Sequence, residues 1–341
     1  MERETERLGS RAFADTERET QAKRLAWLRR RTWPDEISPR RAFEALFFDY
    51  MGLDPAQLTV GREGPDEIFW EARNPCPTLA ACQALGLDTR IVCRQISDKP
   101  AQGFLSCLDP RLRFVRDYGH LRPHASFCAE GIVRIDLEAL MAVAIDEARQ
   151  SRAEGNKGYG AVIVRGRELL ARAHDTAGTD NDPLAHAEVN AIRQAVRVGG
   201  QSDLCGALLL STCEPCPMCS SLAVWANLTG VAYGASIAAT ARLGRRRIMI
   251  GIAEVAARSP SLLEVIPGIL AEQCLDLYRE GPRGPRGPRR PRRRRRMTAR
   301  EQLRLHRPWH VRETPSARRF QLGPAPALDG PASPGVTLLA G

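Results

Sequence analysis

One histidine and two cysteines carry the strongest chemical signal in this chain. Cys216 and Cys219 stand three residues apart, a step that places both sulfurs on one face of a helix. Proline precedes the first of them at Pro215, and Asp182-Pro183 precedes His186, so capping and proline signals predict two helix starts. His186 and Glu188 then fall in the first turn of one helix, and Cys216 opens the other. The positive end of a helix dipole and a zinc ion both lower a thiol from its ordinary value near ~8.5. Zinc held by one nitrogen and two sulfurs lacks one ligand of a tetrahedron, and water in that open position has a pKa of about 7. The three residues therefore point to hydrolysis at neutral pH.

Several elements must bring those helix starts together. Apolar residues at helical spacing (Leu137, Leu140, Met141, Ala144, Ile145, Ala148) predict a helix over 136–153, stopped by glycines at 155, 158 and 160. Two short β-rich runs follow, 160–164 and 168–173, joined by a turn at 165–167. Beyond them helices (183–198, 215–226, 240–243) alternate with strands (207–212, 230–234, 248–252), which predicts a sheet with helices on both faces.

His186-Ala187-Glu188 followed by Pro215-Cys216-x-x-Cys219 resembles the cytidine and deoxycytidylate deaminase superfamily, whose pattern is H-x-E and P-C-x-x-C. The resemblance runs from about Ile135 to Tyr278. It implies a three-layer α/β/α domain with a mixed sheet, one zinc per chain held by His186, Cys216 and Cys219, and Glu188 as the proton shuttle. Cys213-Glu214-Pro215-Cys216-Pro217-Met218-Cys219, with Trp225 six residues on and Tyr233-Gly234-Ala235-Ser236-Ile237 after it, looks like guanine deaminases and related base or nucleoside enzymes. Transfer RNA adenosine deaminases share the Asp-Pro-x-Ala-His-Ala-Glu run and are the alternative. The same resemblance puts Tyr159 and Trp225 where they can flank a bound base, and implies a homodimer. One position departs from the pattern: His174-Asp175 stands where the family usually has His-Asn. An ionised carboxylate only accepts hydrogen bonds, so Asp175 favours ring N–H or amino donors over a carbonyl.

Other readings of these residues were weighed. Cys213, Cys216 and Cys219 spell the opening of an iron–sulfur run, but the next expected cysteine position is Ala223. Cys213 could complete a structural zinc site, and a deaminase fold can persist as a zinc or nucleic-acid binding module without turnover.

The remainder of the chain divides into a charged leader helix (1–32), a small α-rich or α+β domain of unassigned role (33–131), the deaminase-like domain (134–280) and a Pro/Gly/Arg-rich tail (281–341). The second region carries a helical stretch at 39–50 and another at 78–86, started by Thr78. Its five cysteines (Cys76, Cys82, Cys93, Cys107, Cys128) have no metal-ligand spacing and read as buried thiols. Net charge is +10, yet Pro282 to Arg296 holds nine arginines and no acid, so the rest is almost neutral. Low-complexity composition makes that tail an expected disordered segment, and the only expected contact with nucleic acid. A charged amino terminus and the lack of a run of about 18 apolar residues predict neither secretion nor membrane insertion. Ten cysteines then suit a reducing, cytoplasmic compartment.

Overall fold

The computed structural model describes residues 2–279, with side chains from residue 13 onward. Two sheets organise them. The first is antiparallel and four-stranded, ordered β1-β2-β4-β3. Its surroundings begin with helix α1 (Glu2–Leu28) and the short α2 (Pro39–Glu44), which Ser38 caps by accepting from the Arg41 amide. Strands β1 (Leu58–Gly64) and β2 (Glu67–Ala72) follow, then α3 (Pro77–Leu85), α4 (Thr89–Ile96) and α5 (Asp98–Leu108), and finally β3 (Leu112–Asp117) and β4 (Cys128–Arg134). Phe43, Leu46, Trp70, Phe104 and Ile132 fill the core between this sheet and its helices. Sequence patterning announced none of the four strands individually, and β4 runs through the boundary expected near residues 131–134. The cap of α3 also differs: Cys76, not Thr78, occupies that place, its sulfur 3.5 Å from the Leu79 amide.

The second sheet is mixed and ordered β6-β5-β7-β8-β9. Helix α6 (Leu137–Ala153), capped by Asp136, leads into the hairpin β5 (Gly160–Arg165) and β6 (Glu168–His174). Then come α7 (Ala187–Gly199), β7 (Ala207–Cys213), α8 (Pro217–Trp225), β8 (Gly230–Ala235), α9 (Ile237–Arg242), α10 (Ile252–Ala257), β9 (Glu264–Pro267) and α11 (Ala271–Arg279). Strand β7 is buried along all of its length, as a central strand covered on both faces must be. It pairs antiparallel with β5 and parallel with β8, while β8 pairs parallel with β9. Met141, Ala144 and Ala148 of α6 pack with Leu277 and Tyr278 of α11 on one face. Ala187, Ala191 and Ala195 of α7 pack with Ala223 and Ile252 on the other. Gly160 permits α6 to approach, because a Cβ there would lie 1.9 Å from the Ala144 carbonyl oxygen.

The fifth strand is a correction. Residues 248–252, expected as a strand, form a loop and the first residue of α10, and Glu264–Pro267 takes the place beside β8. Ile248, Met249 and Ile250 are 63%, 62% and 39% exposed. A short apolar run reads as a buried strand only if the sheet has room for it, and here a later segment fills that edge.

The two sheets share apolar packing. Phe69, Val115 and Val133 of the first belong to the same cluster as Met141, Val162 and Leu210 of the second. Among the described residues no helix is long and apolar enough to cross a membrane. The expectation for 281–341 falls outside the described residues.

Candidate metal centre

His186, Cys216 and Cys219 converge where two helices begin. His186 is the residue just before α7 and Cys216 the residue just before α8, both in extended conformation. Asp182 was expected to cap the helix of His186, but its carboxylate instead accepts from the Leu184 amide, closing a turn that precedes α7. A helix that starts at Ala187 leaves the His186 imidazole pointing across its end. Cys219, one turn into α8, is fully buried.

The donor atoms fit a zinc ion. His186 Nδ1 lies 3.8 Å from Cys216 Sγ and 3.5 Å from Cys219 Sγ, and the sulfurs are 3.6 Å apart. With Zn–S near 2.3 Å and Zn–N of 2.0–2.1 Å, tetrahedral angles require edges of about 3.8 Å between sulfurs and about 3.6 Å between nitrogen and sulfur. This is the only group of three such ligands among the described residues. The Cys219 thiol and the His186 ring pull Cys216 down to about 4, against burial. Cys219 itself is pushed upward by Cys216 and by burial. Cys213, weighed above as a fourth ligand, is not in the group: its sulfur is buried 3.9 Å from the Thr240 hydroxyl and 3.5 Å from Arg247.

Glu188 is in the first turn of α7, 5% exposed, and burial raises its carboxyl above the ordinary range. The Ser211 hydroxyl donates to Glu188 Oε1 at 3.3 Å. Asp175 is fully buried, and neither carboxylate oxygen has a hydrogen-bond partner. Its backbone is held on three sides: the amide donates to the Tyr159 carbonyl, the carbonyl accepts from Ser151, and Asn190 on α7 donates to the neighbouring His174 carbonyl. The charges of Asp175 and Glu188 both support a protonated His186, after the larger effect of Cys216.

The aromatic residues divide. Tyr159 adjoins Asp175, but its hydroxyl accepts from Arg247 at 2.7 Å and its ring packs 5.2 Å from that of Tyr278. Trp225 is a correction to the sequence reading. It ends α8, nine residues from Cys216 and so about 13 Å along the axis, and is 78% exposed. Residues the sequence did not single out also build the site. The Glu214 carboxylate accepts from the Ile237 amide at 2.8 Å and the Ile252 amide at 3.1 Å, tying the Cys216 loop to α9 and α10. Asn190 follows His186 by one helical turn, which was a readable signal. Ser211, Glu214 and Arg247 act through contacts distant in sequence, for which spacing gives no signal.

The cytidine and deoxycytidylate deaminase zinc-binding region matches residues 134–235. A guanine deaminase from Bacillus subtilis is 43% identical over 86 residues, 25% of this chain and 55% of that protein, so the match spans about half of its length. A tRNA-specific adenosine deaminase from the same organism is 34% identical over 137 residues, 40% of this chain and 83% of that protein. A solved structure of guanine deaminase from Bacillus subtilis is 37% identical, covers 32% of this chain and 71% of that one, and has a TM-score of 0.31. The chain belongs to the cytidine and deoxycytidylate deaminase superfamily, and its matched region is the zinc-binding one.

Proposed function

We propose that this chain is a zinc-dependent hydrolase that removes an exocyclic amino group from a purine or pyrimidine base or nucleoside, in the manner of a guanine deaminase, and releases ammonia. One observation carries the reading: a buried carboxyl with a raised pKa, Glu188, stands beside a three-ligand donor set with tetrahedral edge lengths. His186, Cys216 and Cys219 would hold the ion. Zinc there supplies Lewis acidity that makes water a nucleophile at neutral pH.

The protein's own groups do the rest. Glu188 takes one proton from the attacking water and passes it to the ring nitrogen, then takes the second from the newly formed hydroxyl and passes it to the departing amine, and its raised pKa suits a group that must both accept and donate. Ser211 fixes the orientation of that carboxylate. Asp175 accepts from ring N–H or amino groups of the substrate, which would satisfy two oxygens otherwise buried without partners. Tyr159 forms a wall next to Asp175. In this reading the molecule is a homodimer, seated through the apolar groove between α7 and α8, about 450 Å³ in volume and lined by Leu184, Val189, Ile192, Val196, Met218 and Leu222.

The test is metal analysis of the full chain together with ammonia release from a panel of bases, nucleosides and transfer RNA. One equivalent of zinc and turnover of a free base or nucleoside support the reading. Release only from transfer RNA would transfer the assignment to the adenosine deaminase alternative, to which the 34% identity to such an enzyme lends support alongside the 43% identity to a guanine deaminase. Zinc without release from any compound would refute an enzyme.

A further inference from the structure

A cluster of basic residues lies far from the metal centre in sequence. Lys23, Ala26, Trp27, Arg30 and Arg31, at the end of α1 and in the turn after it, line a cleft of about 690 Å³ with Tyr50 as the opposite wall. Lys23 and Trp27 are one helical turn apart on α1 and share a face, and Arg30 and Arg31 follow in the turn after it. Three of these residues are cations and none of the walls is acidic. Lys23 meets Glu19 at the exposed rim, 2.7 Å away. Arg30 has neither an ion pair nor a hydrogen bond among the described residues. Arg31 is poised over Trp27, its guanidinium carbon 3.7 Å from the ring centroid and its Nη1 bonded to the Trp27 carbonyl at 3.0 Å. Trp27 is held in turn by Tyr50, ring centroids 5.4 Å apart and nearly perpendicular, and by Phe104.

Arg24 lies behind the cleft and is not among the residues that line it. It is one turn before Leu28 on α1, only 9% exposed, and its Nε and Nη1 are buried without an acceptor. Tyr50, the wall of the cleft, is among its nearest polar neighbours, and burial pulls the guanidinium down to about 10. A surface built for solubility alone mixes both signs of charge.

The geometry points to a nucleotide site in this cleft, with a planar base extending the Trp27–Arg31 stack and a phosphate received by Lys23 and Arg30. Arginine over indole gives a preformed platform for a base, and guanidinium groups match phosphate oxygens in pairs. The site is independent of the deaminase reading, since none of its residues touches the metal ligands. Its ligand is a base joined to a phosphate, either as a free mononucleotide or within a single strand of RNA.

Binding of adenosine and guanosine 5′-monophosphates and of a short oligoadenylate to the full chain would be measured by calorimetry. The comparison is with the double variant R30E/R31E, and with R258E as an exposed arginine outside the cleft. Both lie on the surface, so circular dichroism and metal content should match the parent. The inference expects R30E/R31E to weaken binding about tenfold or more, and R258E to change it less than about twofold. Loss for the mononucleotides identifies a free nucleotide as ligand, and loss for the oligonucleotide alone identifies a strand. A photoreactive azido-nucleotide should label Trp27 or Tyr50. Equal binding by parent and R30E/R31E, or no binding of any of these compounds at millimolar concentration, would overturn the site.

Discussion

Two buried groups of carboxylates, one behind each sheet, are satisfied in opposite ways. Behind the first, Arg116 meets Asp98 at 2.5 Å and Glu130 at 2.7 Å, Trp70 donates to Glu130, and Tyr118 donates to Asp98. Every charge in that network has a partner from the protein. Beside the second, Asp175 has none, and Glu188 accepts from Ser211 at 3.3 Å and lies against the Cys219 thiol. Buried charge by itself therefore does not mark a site: a closed network holds a structure together, whereas carboxylates left open reserve their lone pairs for something else.

Substitutions can break or sharpen that contrast. The largest expected effect is Glu188→Gln, which should lower kcat by about 10²–10⁴-fold, the usual weight of a positioned acid–base group, while zinc content measured by atomic absorption stays at the parent level. Full activity in that variant would erase the distinction between the two regions. Next is Arg116→Met, which leaves Asp98 and Glu130 buried without their cation. It should cost about 3–5 kcal/mol in denaturant unfolding and leave metal content unchanged.

Asp175→Asn should do the reverse of Arg116→Met. Removing a charge that has no partner should not lower the melting temperature, and the new amide can donate as well as accept. The ratio of kcat/KM between a carbonyl-bearing and an amino-bearing substrate should then rise by roughly tenfold, given about 1.5–3 kcal/mol for a hydrogen bond to a charged group. An unchanged ratio would remove Asp175 from substrate selection.

The smallest effect concerns His174, which lies between Glu147 (2.7 Å) and Glu154 (3.1 Å). The bond from Glu147 raises its pKa above the ordinary 6.5, against burial. A raised folded value means that the folded state holds this proton more tightly. The resulting stabilisation is complete below pH 6.5 and is lost as pH climbs through the higher folded value. His174→Gln should flatten the fall in melting temperature over that window, by an amount typical of partly exposed pairs, about 0.2–1 kcal/mol.

What could be read from sequence follows the range of the interactions involved. The convergence of His186, Cys216 and Cys219 was legible because Cys219 follows Cys216 by three residues, and because prolines mark both helix starts. Alternation of helix and strand gave the second sheet, since each element there carries its own period. Asp175 was legible as a residue type but not as an orphan, because its isolation depends on what Ser151, Tyr159 and Asn190 leave uncovered. Trp225 was misplaced because a count of residues after Cys219 says nothing of how far a helix carries them. Ile248 to Ile250 were misread because composition alone cannot tell that Glu264–Pro267 occupies the sheet edge. The first sheet was missed strand by strand, since Glu67–Ala72 and Cys128–Arg134 are buried on patterns that are not clean alternations.

Phe69, Val115 and Val133 give the molecule a practical indivisibility. Cutting the chain at residue 134, where the recognised zinc-binding segment begins, would strip these three side chains from the face that α6 covers and leave a greasy seam exposed to water. Such a fragment should clump rather than catalyse.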